Sequence, residues 1–344
     1  MDVRRLRSRY VTTTLKTIFL IAIVTVLIRQ DLLSYASIET AISRWPWVIV
    51  GWALTFCAIL IGTVRWHFLI HAQDIVLPFR RTVQSVFVGL FFNVFLPGTV
   101  SGDLVKGYYV ARAVPGHVAA TVSSILFDRV VGVSGLVALA AIALLAGSRG
   151  EWAGRLGDPI ALAVVGVAVG VAVLYAALLG LTEDRDPVLK ILRRLAGRLQ
   201  FLSSPLRLYE GIRVYHSKPG VTLASIAASM VAHGLFVVAW ICYVRAMAIE
   251  GIPLAALFVA VPVGMLMASI PIGPAGIGTG HAAFLAIFAL LGSDRGADLF
   301  NLVLVFQFIL AGIGGLIYLS VKANDPVPID HLEAAMMDSS AQPD

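Results

Sequence analysis

Charged and amide side chains are scarce in this 344-residue chain, and those lying inside apolar stretches define the chemistry open to it. Asp103 and Lys106 stand one helical turn apart just after Gly102, with Arg112 further along. Asp128 and Arg129 interrupt the apolar run from Thr121 to Ala146, Asn93 and Gln307 are single amides in apolar runs, and His281 follows Gly280 at the start of another. Ions in such surroundings face the protein interior, where they either fasten helices together or meet a charged ligand. The Arg129 guanidinium fork suits phosphate oxygens, and equally suits a structural pair with Asp103. Lys106 and Arg112 would attract the same anion. Asp103 would sit at the positive N-terminus of a helix, placed to hold or release those cations. An Asp103–Lys106 pair at a wet rim would contribute little. Asn93 and Gln307 are read first as interhelical hydrogen-bond formers.

Other constellations are missing. His67 and His71 are four residues apart but lack the HExxH frame, and with Arg65 and Trp66 beside them they read as an interfacial anchor. His233, among small residues, reads as a packing histidine. Cys57 and Cys242 lie in apolar runs with no CxxC or Cys/His cluster, so they are expected to be free thiols. There is no GxSxG, P-loop or Rossmann glycine fingerprint. No metal, no cofactor, no covalent hydrolysis and no nucleotide-driven pumping are therefore expected.

Two segments position these residues. The first is Asn93-Val-Phe-Leu-Pro97-Gly98-Thr-Val-Ser-Gly102-Asp103-Leu-Val-Lys106, and the second is Ile270-Pro271-Ile-Gly273-Pro274-Ala-Gly276-Ile-Gly278-Thr-Gly280-His281. Gly102-Asp103 aligns with Gly280-His281, and Pro97 with Pro274 after a one-residue gap. Each is a proline-glycine break ahead of a glycine and a polar residue that opens an apolar helix. Such a break is either a packing feature or the lining of a cavity, because unwound backbone at membrane depth needs protein or water to satisfy it.

The surrounding chain is built for lipid. It is 59% hydrophobic and 13% charged, where soluble domains carry about 25% charged residues, and its mean hydropathy is +0.89. A helix needs about 20 apolar residues to cross the hydrocarbon core. Runs of that kind occur at Leu15 to Ile28, Pro46 to Val64, Val130 to Ala146, Ile160 to Leu181, Val221 to Val244, Pro253 to Ile270 and Leu299 to Val321. Arg4, Arg5, Arg7 and Arg9 precede the first run, and no small-residue cleavage site follows, so it is expected to remain as a span. The net charge of +6 implies no nucleic-acid partner, since the basic residues flank spans and set topology. They also suit anionic lipid headgroups.

By the positive-inside rule the N-terminus, the Arg65 to Arg81 loop and the polar stretch Thr182 to Gly220 are cytoplasmic. Arg149 to Asp158, nearly neutral, must then be outside, and the segment between Arg81 and Thr121 must enter and leave on the cytoplasmic side. The expected fold is an all-α polytopic membrane protein of about six full spans plus two broken re-entrant hairpins, one from each side, in an inverted-repeat arrangement. The repeats are placed at about 1–181 and 220–322. Between them, residues 182–219 form a linker whose leucines (Leu189, Leu192, Leu195, Leu199, Leu202) mark a helix on the membrane surface. Both termini are cytoplasmic, the membrane is the inner (plasma) membrane, and residues 323–344 form an acidic, disordered tail.

Three strings, Asn93 to Lys106, Ser-Ser-Ile-Leu-Phe-Asp128-Arg129-Val-Val-Gly, and Pro271 to Phe284, resemble the lysylphosphatidylglycerol synthase transmembrane family. That family provides the flippase-like domain of multiple peptide resistance factors and includes stand-alone members associated with hopanoid or glycolipid pathways. The resemblance covers most of the chain and implies headgroup translocation of an anionic phospholipid or glycolipid. The breaks and the intramembrane charges together give the candidate substrate path as Asn93, Pro97, Gly98, Gly102, Asp103, Lys106, Arg112, Asp128, Arg129, Pro274, Gly276, Gly278, Gly280 and His281. The chain departs from the pattern at His281, where many relatives are acidic. It ends soon after its last span, so the soluble acyltransferase domain and aminoacyl transfer are not expected of it. The expected function is a flippase or scramblase without ATP hydrolysis. The alternative is a non-transporting accessory subunit for a glycosyltransferase or lipid-modifying enzyme. An enzyme using Asp103 and His281 as acid and base is the weakest reading, because no nucleophile accompanies them.

Overall fold

The structure, a computed structural model, describes residues 35–324 apart from 96–100, 148–153, 155, 198, 200–201 and 271–273. The described residues form helices and turns, with no strand among them. In chain order the helices are α1 (Tyr35–Ser43), α2 (Trp45–His71), α3 (Phe79–Phe95), α4 (Ser101–Ala113), α5 (Val118–Gly147), α6 (Asp158–Gly180), α7 (Pro187–Ala196), α8 (Ser203–Arg213), α9 (Pro219–Ala246), α10 (Leu257–Ala268), α11 (Thr279–Leu290) and α12 (Gly296–Asn324). Prolines fall in the first turns of α2, α6, α7 and α9, where the missing N–H costs nothing. Gly116 and Gly157, both with positive φ, turn the chain into α5 and α6.

Five helices are long and apolar enough to span a membrane: α2, α5, α6, α9 and residues 296–321 of α12. The segment Leu15 to Ile28, the Pro97-Gly98 break and the tail from Asp325 lie outside the described residues. Much of the helix surface is apolar and uncovered; on α6, Leu162, Val169 and Val173 are all exposed. A water-soluble monomer rarely leaves a surface of that kind bare, whereas a lipid-facing helix requires it.

The helices share one end, marked by the linker helices α7 and α8. There the Tyr215 hydroxyl donates to Leu69 O at 3.0 Å and Lys218 Nζ to Ala72 O at 2.6 Å, which ties the start of α9 to the end of α2. Ser123 Oγ donates to Leu208 O at 3.0 Å, fixing α8 to the first turns of α5. Arg213 donates to Leu178 O at 3.1 Å and Leu181 O at 2.6 Å, satisfying carbonyls that the end of α6 leaves open. Its charge is matched by buried Asp186, 3.5 Å away, which also caps α7 by accepting from the Val188 and Leu189 amides at 2.9 and 3.1 Å. Burial pushes the Asp186 carboxyl up, but the Leu189 amide, the Tyr209 hydroxyl, Arg213 and the Val188 amide together hold it below the usual carboxylate range. Burial and the Asp186 hydrogen bond push the Tyr209 phenol up to about 12. α7 turns Leu189 inward and leaves Val188, Ile191 and Leu195 exposed beside Lys190 and Arg194. α8 differs: it packs on α5 as part of the helical body.

Two pairs of shorter helices break the up-and-down order. α3 and α4, 17 and 13 residues long, leave from and return to the linker end, where Val110 of α4 shares a core cluster with Ile75 and Leu77 ahead of α3. α10 and α11, 12 residues each, do the same at the opposite end, where Leu257 clusters with Ile287 and Leu291. α10 also carries Pro262 inside it, which removes one ladder bond. The packing is reciprocal. α3 lies against α12, the helix that follows the second pair, and α10 lies against α5, the helix that follows the first. α2 and α9, which precede the two pairs, share the most extensive contact. They cross where Gly51 admits the Tyr243 ring and Thr55 Oγ1 and Tyr243 OH are 3.0 Å apart.

Candidate functional site

Three helices meet at a node of charges near the first broken pair. On α4, Asp103 lies in the first turn and Lys106 one turn on, their charged groups 3.5 Å apart. Arg129 of α5 closes on the other Asp103 oxygen as a direct ion pair. Lys106 rests over the Trp66 ring of α2, 4.0 Å from its centre, and Trp66 Nε1 donates to Ser124 Oγ of α5 at 3.3 Å. A cation over an indole face is stabilised by the ring quadrupole, more so when desolvated. The Lys106 side chain is 9% exposed and that of Arg129 41% exposed. Lys106 is therefore sealed against Trp66 while Arg129 keeps an open side.

Asp128, the neighbour of Arg129, turns to the other flank of α5 and pairs with Arg65 of α2 at 2.9 Å. The two side chains are only 11% and 13% exposed. Arg65 also donates to Ser229 Oγ of α9 at 2.9 Å, Ser229 reaches Gly132 O at 3.3 Å, and His233 Nε2 donates to the same carbonyl at 3.0 Å. The consecutive pair Asp128-Arg129 thus binds α5 to α2 and α9 on one flank and to α4 on the other. Two neighbouring residues on a helix point about 100° apart, which is why one pair serves two partners.

The first break is stitched across its legs. Asn93 Oδ1 of α3 accepts the Gly102 amide at 2.7 Å, and Ser101 Oγ donates to Phe92 O at 3.3 Å. Asn93 thereby satisfies an amide that the start of α4 leaves open. Gly102 faces Gly89 so closely that a methyl group on either would collide with the other's carbonyl. In the second break, Pro274–Gly276 form a short 3-10 turn, and Ala275 (φ 52°), Gly276 (φ 75°) and Gly278 (φ 89°) are left-handed. Only glycine takes such values without strain. His281 Nδ1 accepts the Gly278 amide at 3.3 Å, so its proton sits on Nε2 and is donated to Asn301 Oδ1 at 2.8 Å. Gly280 faces the Phe300 ring. Phe284 stacks on Trp240 at 4.1 Å and on Phe300 at 5.4 Å.

Of the residues singled out from sequence, Asn93, Gly102, Asp103, Lys106, Asp128 and Arg129 come together around the α4–α5 contact. Arg112 is exposed in the last turn of α4, away from Asp103. Pro274, Gly276, Gly278, Gly280 and His281 gather at the second break, and Asp103 and His281 have separate partners. Pro97 and Gly98 lie outside the described residues. Sequence reading assigned Arg65 and Trp66 to a basic interfacial loop, but α2 continues to His71 and carries both into the node. A signal existed: Asp128 has Ser124 and Gly132 one turn either side, so its cation had to come from another span. Among the described residues no group of three or more His, Cys, Asp or Glu could hold a metal.

Fold and charges define an all-helical, multi-pass membrane protein with a buried ionic node. The chain belongs to the family described as the lysylphosphatidylglycerol synthase TM region, whose profile matches residues 14–316. A UPF0104 membrane protein of Pyrococcus horikoshii is 25% identical over 134 residues, which is 37% of this chain and 40% of that relative. The match therefore spans less than half the relative's length. No solved structure matches the chain.

Proposed function

We propose that this protein carries a phospholipid or glycolipid headgroup across the inner membrane as a flippase or scramblase, without ATP hydrolysis and without catalysing a reaction on the lipid. The observation that carries this reading is the Asp103–Lys106–Arg129 triad at the foot of a broken helix pair, an ionic cluster with a partly exposed guanidinium. The Arg129 side chain is 41% exposed, and a guanidinium matches phosphate oxygens two by two. Family membership supports a lipid-related role. The reciprocal packing of the two broken pairs supports an inverted repeat, a plan that transporters use to open a path on alternate sides.

The test is lipid movement in proteoliposomes of the purified protein. Transport should be present in the wild type and lost in Arg129→Gln. A protein that moves no lipid under any composition is a scaffold for another enzyme, and transport that persists in Arg129→Gln removes the triad from the pathway. In the same reading the linker end is cytoplasmic. A cysteine at Ser293 should label in intact spheroplasts and one at Ser203 only after permeabilisation; the reverse pattern inverts the orientation.

A further inference from the structure

The contact between α3 and α4 holds a second feature, nearer the linker end than the ionic node. A groove with about 300 Å³ of empty space opens there between α3, α4 and the end of α12. Its floor is apolar, with Leu77, Val88 and Val110 all buried, and Val321 of α12 forms a further wall. Arg81 and Gln84 of α3 and Tyr109 of α4 bring polar side chains to the same groove. None of these three side chains makes a hydrogen bond or ion pair with another described residue, whereas the Ser85 hydroxyl beside them is closed on the Arg81 carbonyl at 2.9 Å. A few uncommitted polar groups around an apolar floor are what fixes the orientation and identity of a ligand in a pocket. The groove also adjoins the node. Gly89, next to Val88, approaches α4 so closely that a methyl group there would meet Lys106 Cβ at 3.7 Å. Tyr109 lies one helical turn, about 5 Å, beyond Lys106 towards the linker end.

We infer that this groove is the docking site for a lipid headgroup of the linker-end leaflet, with a phosphodiester on Arg81 and headgroup hydroxyls on Gln84 and Tyr109. The chemistry follows from the lining. A guanidinium pairs with two phosphate oxygens at once, and a carboxamide and a phenol both donate to and accept from hydroxyls. Ligand pockets run from about 300 to 1,000 Å³, so a groove at the small end of that range takes a headgroup and leaves the acyl chains in the bilayer. That a headgroup docked here moves on to the node rests on the transport reading above; that it binds here does not.

The experiment reads binding apart from movement. Dioctanoyl phosphatidylglycerol is titrated into the detergent-purified protein and followed by the rise in unfolding midpoint. Two further probes are dioctanoyl phosphatidylmethanol, which keeps the phosphodiester but lacks the hydroxyls, and inorganic phosphate, which lacks the lipid. Phosphatidylglycerol should bind the wild type about threefold more tightly than phosphatidylmethanol, the margin that neutral hydrogen bonds supply, and inorganic phosphate should not compete. Arg81→Gln should weaken phosphatidylglycerol at least about tenfold, as the loss of a charge-assisted bond does, and Gln84→Leu should erase the threefold margin. Ala113→Trp fills the mouth of the groove and should weaken both lipids alike. Arg81 and Ala113 are exposed, so neither change disturbs the core. Unchanged affinity in Arg81→Gln and Ala113→Trp would overturn the site, and equal competition by inorganic phosphate would overturn its assignment to a lipid. The expected binding pattern in a protein that moves no lipid would uphold the groove and remove the transport reading alone.

Discussion

The two broken helix pairs follow one backbone plan and fill it with different chemistry. In α3/α4 the legs touch through two glycines, an amide side chain crosses from one leg to cap the other, and the second leg carries an acid bound from α5 and a base that lies on α2. In α10/α11 the tight turn is made by left-handed residues, the cap comes from the second leg's own His281, and aromatic rings from α9, α11 and α12 stack around the glycines. Stacked rings hold by close packing, which has no alternative partner to offer. Ion pairs hold by charge, and a second anion can take the place of the first. In the proposed function the first pair is therefore the one that would exchange a partner with a ligand, and the second the packed counterpart beside it.

Graded substitutions can break or sharpen that contrast, read as unfolding midpoints of purified protein in detergent. The largest effect belongs to the ions that anchor α5 beside the first pair. Asp128→Asn leaves Arg65 without its carboxylate and should cost about 3–5 kcal/mol, the usual penalty for halving a buried pair. A variant as stable as the wild type would show that water reaches Arg65. Next come the glycines. Gly102→Ala drives a methyl into the Gly89 carbonyl, which belongs to backbone and cannot swing away, and should cost about 1–3 kcal/mol. Gly280→Ala meets the Phe300 ring, which can turn, and should cost less. A larger loss for Gly280 would make the aromatic pair the more tightly constrained of the two. The smallest effects belong to the caps, within the same series: Asn93→Ala and His281→Ala should each cost about 1 kcal/mol.

Much of this architecture was legible in the order of residues. Apolar runs of spanning length mark α2, α5, α6, α9 and α12, because backbone polarity can be satisfied inside lipid only by helix or closed barrel. The Pro/Gly-rich strings at 97–102 and 271–280 mark where α3 gives way to α4 and α10 to α11, and the isolated Asp103, Lys106, Asp128 and Arg129 mark where ions sit among apolar neighbours. His281 was legible as a polar residue at a helix start, though not as that helix's own cap. Arg65 was hidden by position: a cation six residues before the end of a span looks like a topological signal, and nothing local separates it from one that faces inward.

Sequence by itself thus determined the class of protein, its membrane-spanning helices and the short roll of ions, since composition and hydrophobic run length act locally along the chain. Tertiary structure alone decided the partners. Asp128 binds Arg65, 63 positions away, and Arg129 binds Asp103, 26 positions away. Lys106 lies on Trp66 and not in water. Those pairings depend on which flank of α5 meets α2, α9 and α4, where close packing at Gly135–Ser229 and Gly107–Ile125 lets the helices approach through a missing side chain.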